Sequence, residues 1–185
     1  MAIREITFPP EKALESMLYI ASKLERPTIH EALKIRYFAD KLHLAEYGFL
    51  ASGDDYVAMK FGPVASSTYN LLKAARGDQS GWIHPVFAQL VDGSLGVDAD
   101  RKTLKPLRAP NLDQLPRADV ACLDDAIRRY GNMPFSERTD LSHDAAWQST
   151  WDIAAEDEMG QSPMTLDAIA GTLPNAQEVI AHLHA

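Results

Sequence analysis

The sequence has very little cysteine: Cys122 is the one thiol in 185 residues. A single cysteine excludes an internal disulfide and any metal site that needs several thiolates, and it is typical of proteins from a reducing compartment. Because Cys122 lies within the apolar run 120–123, we expect a buried structural thiol rather than a nucleophile.

Long apolar runs are also absent from the sequence. The N-terminal segment has no uninterrupted apolar stretch of signal-peptide length, and no later segment approaches the length of a membrane span. We therefore expect a cytoplasmic protein with no membrane partner.

Basic residues are outnumbered, with 18 lysines and arginines against 26 aspartates and glutamates and a formal charge of −8. Such a chain repels a phosphate backbone unless its basic residues cluster on one face. One loose basic grouping, 101–117, lies in a segment rich in prolines and turns and is not a recognisable reading helix. DNA binding is therefore disfavoured, and the acidic balance favours encounter with a basic partner.

The common catalytic and cofactor motifs are missing. The sequence contains no G-x-x-x-x-G-K-S/T, G-x-G-x-x-G, H-E-x-x-H or G-x-S-x-G, so it offers no argument for a phosphate, dinucleotide, zinc-protease or hydrolase site. His43 follows Asp40 by one helical turn, a spacing at which a carboxylate orients an imidazole for base or metal chemistry. Since no nucleophile or third ligand is placed near them, we interpret the pair as a satisfied polar contact. We therefore expect no catalytic residue, metal or cofactor, and an enzyme using Asp40 and His43 stays as an alternative.

One segment, 28–48, has the clearest pattern in the chain. Thr28 is a helix-capping residue and Gly48 supplies a left-handed stop, so the spacing predicts a helix of about five turns. Its apolar residues fall on two opposite faces, and two apolar faces need two packing partners. Between the faces run narrow polar seams that we expect to be wetted, formed by Arg36 and His43 on one side and by His30, Lys34 and Lys41 on the other. We predict that this helix is the buried centre of the domain.

Further helices are predicted from apolar periodicity and capping residues. They occupy residues 10–24, 66–75, 119–130, 134–141, 165–170 and 175–184. Residues 143–151 are predicted to be irregular.

Alternating apolar and polar residues predict two small hairpins. The first pairs 49–51 with 56–61 and ends at Gly62. The second pairs 85–91 with 94–97 through an Asp-Gly turn, with 103–104 as a candidate further strand. The expected fold is α+β and mainly α: a single domain of residues 1–185, with a central buried helix and one or two small antiparallel β-hairpins.

Three groups of residues occur in an order typical of one family. The first reads YFADKLHL at 37–44 with EYG at 46–48, the second reads YVAMKFGPV at 56–64 with Tyr69 and Leu72 after it, and the third is YG at 130–131 and LSH at 141–143 with Trp147 after it. Together they resemble the Panacea domain, also called the SocA-like antitoxin domain, over nearly the whole chain. The family's structural signature then falls on Tyr37, Asp40, His43, Tyr47, Gly48 and His143.

The resemblance implies a non-enzymatic bacterial or phage antitoxin of a toxin–antitoxin system, which neutralises a cognate protein toxin by direct binding. The family's partners are varied, among them toxins that resemble small-alarmone synthetases. One branch looks like an adaptor that delivers its toxin to a Clp-type protease. A DNA-binding autoregulator of its own operon is a further alternative, which the negative charge disfavours.

The turn 60–64 is the best candidate for contact with a partner. It joins a predicted strand to a predicted helix and holds an aromatic ring beside a cation. Phe61 stands where the family usually has a tyrosine, which removes a hydroxyl and keeps the ring. A purely structural corner is the alternative for this turn. The predicted partner-binding residues are Tyr56, Lys60, Phe61, Gly62, Pro63, Val64, Tyr69 and Trp147.

Overall fold

A computed structural model of the chain describes residues 8–79, 83–154 and 161–185. Its helices are α1 Pro10–Lys23, α2 Ile29–Tyr47, α3 Ser66–Ala75, α4 Pro85–Val91, α5 Arg117–Tyr130, α6 Phe135–Ser142, α7 Ala145–Ala154, α8 Leu166–Ala170 and α9 Ala176–Leu183. Its strands are β1 Tyr56–Met59, β2 Gly62–Ala65, β3 Leu95–Val97, β4 Leu104–Pro106 and β5 Ser162–Met164. The predicted fold class, α+β and mainly α, is confirmed. Within the described ranges, no helix combines the length and the apolarity that crossing a bilayer needs.

Helix α2 is the central element, as predicted. The Thr28 hydroxyl accepts a hydrogen bond from the amide of Glu31 at 3.1 Å, and Gly48 ends the helix with a φ of 79°. Both apolar faces are covered, because α2 packs against α5 on one side and against β2 on another. Phe38 stacks on Tyr130 of α5 with ring centroids 4.0 Å apart.

Three of the five residues on the polar seams of α2 are buried, so the expectation of wetted seams was wrong for them, whereas His30 and Lys41 are half-buried. Lys34, Arg36 and His43 are each at most 2% exposed. Partners from other parts of the chain replace water: the Lys34 amine donates to the Pro63 carbonyl at 2.7 Å, and His43 Nδ1 lies 2.9 Å from the Phe49 carbonyl oxygen. A polar side chain can be buried when a neighbouring element satisfies it, and helical periodicity does not report that neighbour.

The first hairpin differs in register from the prediction. Strand β1 pairs with β2, with Met59 opposite Gly62, so residues 60–61 form the loop and 49–51 form no strand. Gly62 therefore opens β2 instead of ending the hairpin. Proline is tolerated at Pro63 because β2 is an edge strand in the order β2-β1-β5.

The second hairpin and the region 143–151 were also predicted wrongly. Residues 85–91 form α4 and 145–154 form α7. Pro85 stands at the first helical position, and Phe87 and Val91, one turn apart, are buried. The strand predicted at 94–97 is present as β3, and it pairs with β4, which begins at Leu104 within the candidate strand 103–104, instead of with 85–91.

Candidate partner-binding site

The loop between β1 and β2, Lys60-Phe61, is anchored at both ends. The Trp147 indole Nε1 donates to the Met59 carbonyl at 2.9 Å, just before the loop. The Lys34 amine holds the Pro63 carbonyl, just after it. Two buried side chains from α7 and α2 thus fix the strands, so that the two loop residues project from a rigid base.

Gly62 has a backbone conformation and a close packing contact that both disfavour a residue with a Cβ. Its φ is 99°, a left-handed value that residues with a Cβ rarely adopt. A Cβ at this position would overlap the Ser142 hydroxyl and lie 3.0 Å from the Lys34 amine. The hairpin therefore packs against α6 with no space for a side chain at residue 62.

A groove of about 660 Å³ opens beside the loop. Its apolar wall is contributed by Ile29 and Leu33 from α2 and by Met59 and Val64 from the hairpin. The rings of Phe61 and Phe135 stand at the groove, 5.7 Å apart and edge to face, and they are 51% and 52% exposed. Exposed aromatic rings over an apolar concavity are typical of surfaces that bind other molecules.

The charged residues that line the groove are all basic among the residues that the structure describes. Arg76 and Arg101 both contact the carboxylate of Asp78, which itself stands outside the lining. Lys60 and Lys102 are exposed and have no ion-pair partner in the described ranges. The groove is therefore locally positive on a chain with a formal charge of −8.

Lys102 and Arg101 reach the groove through a backbone contact that the sequence did not reveal. The amide of Ile29 donates to the Lys102 carbonyl at 2.8 Å, and the amide of Leu104 donates to the Pro27 carbonyl at 2.7 Å. These bonds place the turn before β4 beside the start of α2. The basic pair at 101–102 belongs to the loose basic grouping 101–117, and nothing in the sequence indicates its position beside α2.

Lys34 is an uncommon buried lysine. It is 1% exposed, and no carboxylate pairs with it within the described part of the chain. Burial lowers the pKa of Lys34 from 10.5 to about 7. Burial, together with the positive charges of Lys34 and Arg138, lowers the pKa of His30 to about 4, so that His30 is neutral at physiological pH.

Lys34 should make the protein more stable as the pH rises from neutrality. The pKa is about 7 in the folded chain and 10.5 ordinarily, so the unfolded chain binds more protons in this range and folding is favoured as protons are removed. We expect the free energy of unfolding to gain about 2 kcal/mol between about pH 7 and pH 9, and Lys34→Met to lack this gain. Urea unfolding at several pH values measures it, with exposed Lys105→Met as the control that keeps the gain. Parallel pH curves for wild type and Lys34→Met would contradict the assignment.

The family comparison agrees with the motifs. A family model described as "Antitoxin SocA-like, Panacea domain" matches residues 33–148. The chain belongs to the Panacea family. The searches of curated proteins and of solved structures find no match. The matched range includes the hairpin, the turn at 101–103 and α6, whereas β5, α8 and α9 of this Panacea protein fall outside it.

The predicted partner-binding residues of the Panacea chain divide into two groups. Five of them line the groove: Lys60, Phe61, Gly62, Val64 and Tyr69. Pro63 is buried beside Lys34. Tyr56 and Trp147 are buried too, with the Tyr56 hydroxyl bonded to Asp40 and the Trp147 indole bonded to the hairpin, and neither offers surface to a partner. Sequence reasoning missed Phe135, Arg76 and the turn at 101–102, which lie far away along the chain.

The residues on which the resemblance places the family's structural signature lie around α2 and make contacts within the protein. The Tyr37 hydroxyl donates to Asp144 at 2.8 Å, and the His143 ring stacks on Trp147 with centroids 3.6 Å apart. Gly48 lies against His182 of α9 with no space for a Cβ. Tyr47 is 45% exposed, with its ring 4.5 Å from that of His43.

Asp40 and His43 do not form the polar pair that their spacing predicts. Asp40 bonds to Arg36, Ser52 and Tyr56, while His43 Nε2 lies 3.4 Å from Asp119. Both side chains are buried. Neither lines the groove, so the geometry provides no catalytic pair at these residues.

Proposed function

We propose that this Panacea protein is an antitoxin that neutralises a cognate toxin by direct binding, with the groove beside the Lys60-Phe61 loop as the contact surface. One observation supports this most: five residues that the sequence singled out for partner contact, among them the half-exposed Phe61, line a single groove together with the half-exposed Phe135. The match to the antitoxin family supplies the functional class.

The anchoring of the Lys60-Phe61 loop supports the same proposal. Binding energy at protein interfaces is concentrated in a few aromatic and basic residues that are already held in place. Phe61 projects from a loop whose strands are fixed by Trp147 and Lys34, so little conformational entropy is lost when a partner covers it.

Co-expression tests the proposal. The neighbouring open reading frame should encode a protein that stops growth alone, and this chain should restore growth and bind that protein in a pull-down. A neighbour that is harmless alone, or that stays lethal when this chain is present, would overturn the proposal.

The Phe61→Ser variant tests the surface. Loss of a central aromatic contact should cost about 2 kcal/mol of binding, which raises the Kd about thirtyfold. Phe49→Ser is the matched control, because Phe49 is 56% exposed and lies outside the groove. Equal affinities for the two variants, measured by titration calorimetry with the purified toxin, would place the contact surface elsewhere.

A further inference from the structure

The chemistry of the groove indicates what kind of segment it receives. We propose that the groove binds an acidic amphipathic segment of a partner protein, one in which carboxylates alternate with apolar side chains. This inference rests on the proposed function, since the toxin is the partner that would present such a segment.

The apolar part of the groove consists of a wall of aliphatic side chains and two exposed phenylalanine rings. Ile29, Leu33, Met59 and Val64 form an apolar wall, in which Met59 is half-buried and the other three are at most 8% exposed. Phe61 and Phe135 extend it, each with about half of its surface in water. Covering such a surface with apolar side chains removes it from water at about 25 cal/mol for each Å². A segment made of charged residues alone leaves this surface uncovered.

Three cationic side chains form what we call the rim of the groove: Lys60, Arg101 and Lys102. Lys60 and Lys102 are exposed and unpaired within the described ranges, and the Arg101 side chain is 63% exposed. These cations come from two separate turns, and no acidic residue lines the groove between them in the part of the chain that the structure describes. Carboxylates on the incoming segment supply the missing counter-charges.

The formal charge of −8 favours a partner that is basic overall, so the positive groove accommodates only a short anionic segment of that partner. Charges separated by more than about 8 Å are screened at physiological ionic strength, so the two lysines act on carboxylates that touch the rim. A long polyanion such as nucleic acid extends beyond the groove and is repelled by the other, acidic parts of a chain whose formal charge is −8. Close contact with a few carboxylates, combined with apolar burial, is therefore favoured over binding along a phosphate backbone.

Three labelled peptides of one length test the inference by fluorescence anisotropy with the purified protein. The first alternates glutamate with leucine, the second replaces each glutamate with lysine, and the third replaces each leucine with serine. We expect saturable binding of the first alone, weakening as salt is added. Comparable binding of the second or third peptide, or tighter binding of a single-stranded oligonucleotide, would overturn the inference. A groove occupied by a second copy of this chain would also overturn it, and a dimer in size-exclusion chromatography that Phe61→Ser dissociates would reveal that.

Reversing the charge of the two rim lysines tests whether they contact the bound peptide. The double variant Lys60→Glu/Lys102→Glu should weaken binding of the glutamate–leucine peptide at least about tenfold and remove its salt dependence. Lys105→Glu is the matched control, since Lys105 is exposed, follows Lys102 by three residues and lies outside the groove lining. Equal loss in the control and in the double variant would show that net charge, not the groove, governs binding.

The cellular assay separates this inference from the proposed function. If wild type fails to protect cells from the neighbouring gene product, the proposed function fails whatever the peptides show. If wild type protects cells and Lys60→Glu/Lys102→Glu protects them equally, the proposed function stands and the acidic segment is refuted.

Discussion

Replacing Asp40 with alanine is expected to destabilise the protein by about 3–5 kcal/mol, a large share of the 5–15 kcal/mol that holds an ordinary domain folded. Asp40 is fully buried, and its carboxylate accepts hydrogen bonds from Arg36 at 2.6 Å, from the Tyr56 hydroxyl at 2.7 Å and from both the amide and the hydroxyl of Ser52. One carboxylate thus joins α2 to the segment before β1 and to β1 itself.

The cost arises mainly at Arg36. This guanidinium is 2% exposed, its Nη2 donates to Asp40, and its Nε has no hydrogen-bond partner among the described residues. Removing Asp40 leaves a buried positive charge without its contacting carboxylate, and this is more costly than losing a neutral hydrogen bond.

Urea unfolding at neutral pH, followed by circular dichroism, measures the effect. Asp140→Ala is the matched control, because Asp140 is also a helical aspartate but is exposed and has no side-chain partner in the described ranges; we expect it to change stability by less than about 0.5 kcal/mol. Equal unfolding midpoints for the two variants would show that the buried network contributes little to the fold.

Replacing Gly62 with alanine is expected to cost about 3 kcal/mol. Part of this is backbone strain, since a residue with a Cβ held at positive φ costs about 1–3 kcal/mol. The remainder is overpacking of about the same size, because the added Cβ would overlap the Ser142 hydroxyl and approach the Lys34 amine. Both neighbours are buried and hydrogen-bonded, so neither moves away freely.

Gly77→Ala separates the two contributions. Gly77 has a φ of 78°, also in the left-handed region, but none of the residues that the structure describes lies within 4 Å of the position its Cβ would occupy. We expect Gly77→Ala to cost about 1 kcal/mol from backbone strain alone. In the double variant Gly62→Ala/Ser142→Ala, removal of the hydroxyl should restore part of the stability, a coupling that a double-mutant cycle measures. Strictly additive effects of the two substitutions would exclude the proposed overlap.

Local sequence signals were sufficient to predict an element whose bounds and burial depend on residues within it or next to it. Thr28 and Gly48 mark the ends of α2 because a cap and a left-handed stop act within a few residues of the helix. The two apolar faces predicted its burial because each face must leave water. The three groups of residues between 37 and 147 predicted the family to which the chain belongs.

Local signals failed where neighbours decide the structure. Residues 85–91 have a short apolar run that suits a strand or a helix, and packing made it α4. The same applies to the first hairpin, since strand pairing depends on the available partner: β1 pairs with β2 and with the distant β5.

By itself, then, the sequence determined the central helix, the mainly helical fold class and, of the predicted turn 60–64, the loop residues 60–61. The tertiary structure alone decided that Lys34, Arg36 and His43 on the polar seams of α2 are buried and that Phe135, Arg76 and Lys102 join Phe61 around one groove. The physical reason is that periodicity records whether a side chain leaves water, whereas the identity of its new neighbours depends on chain segments many residues away.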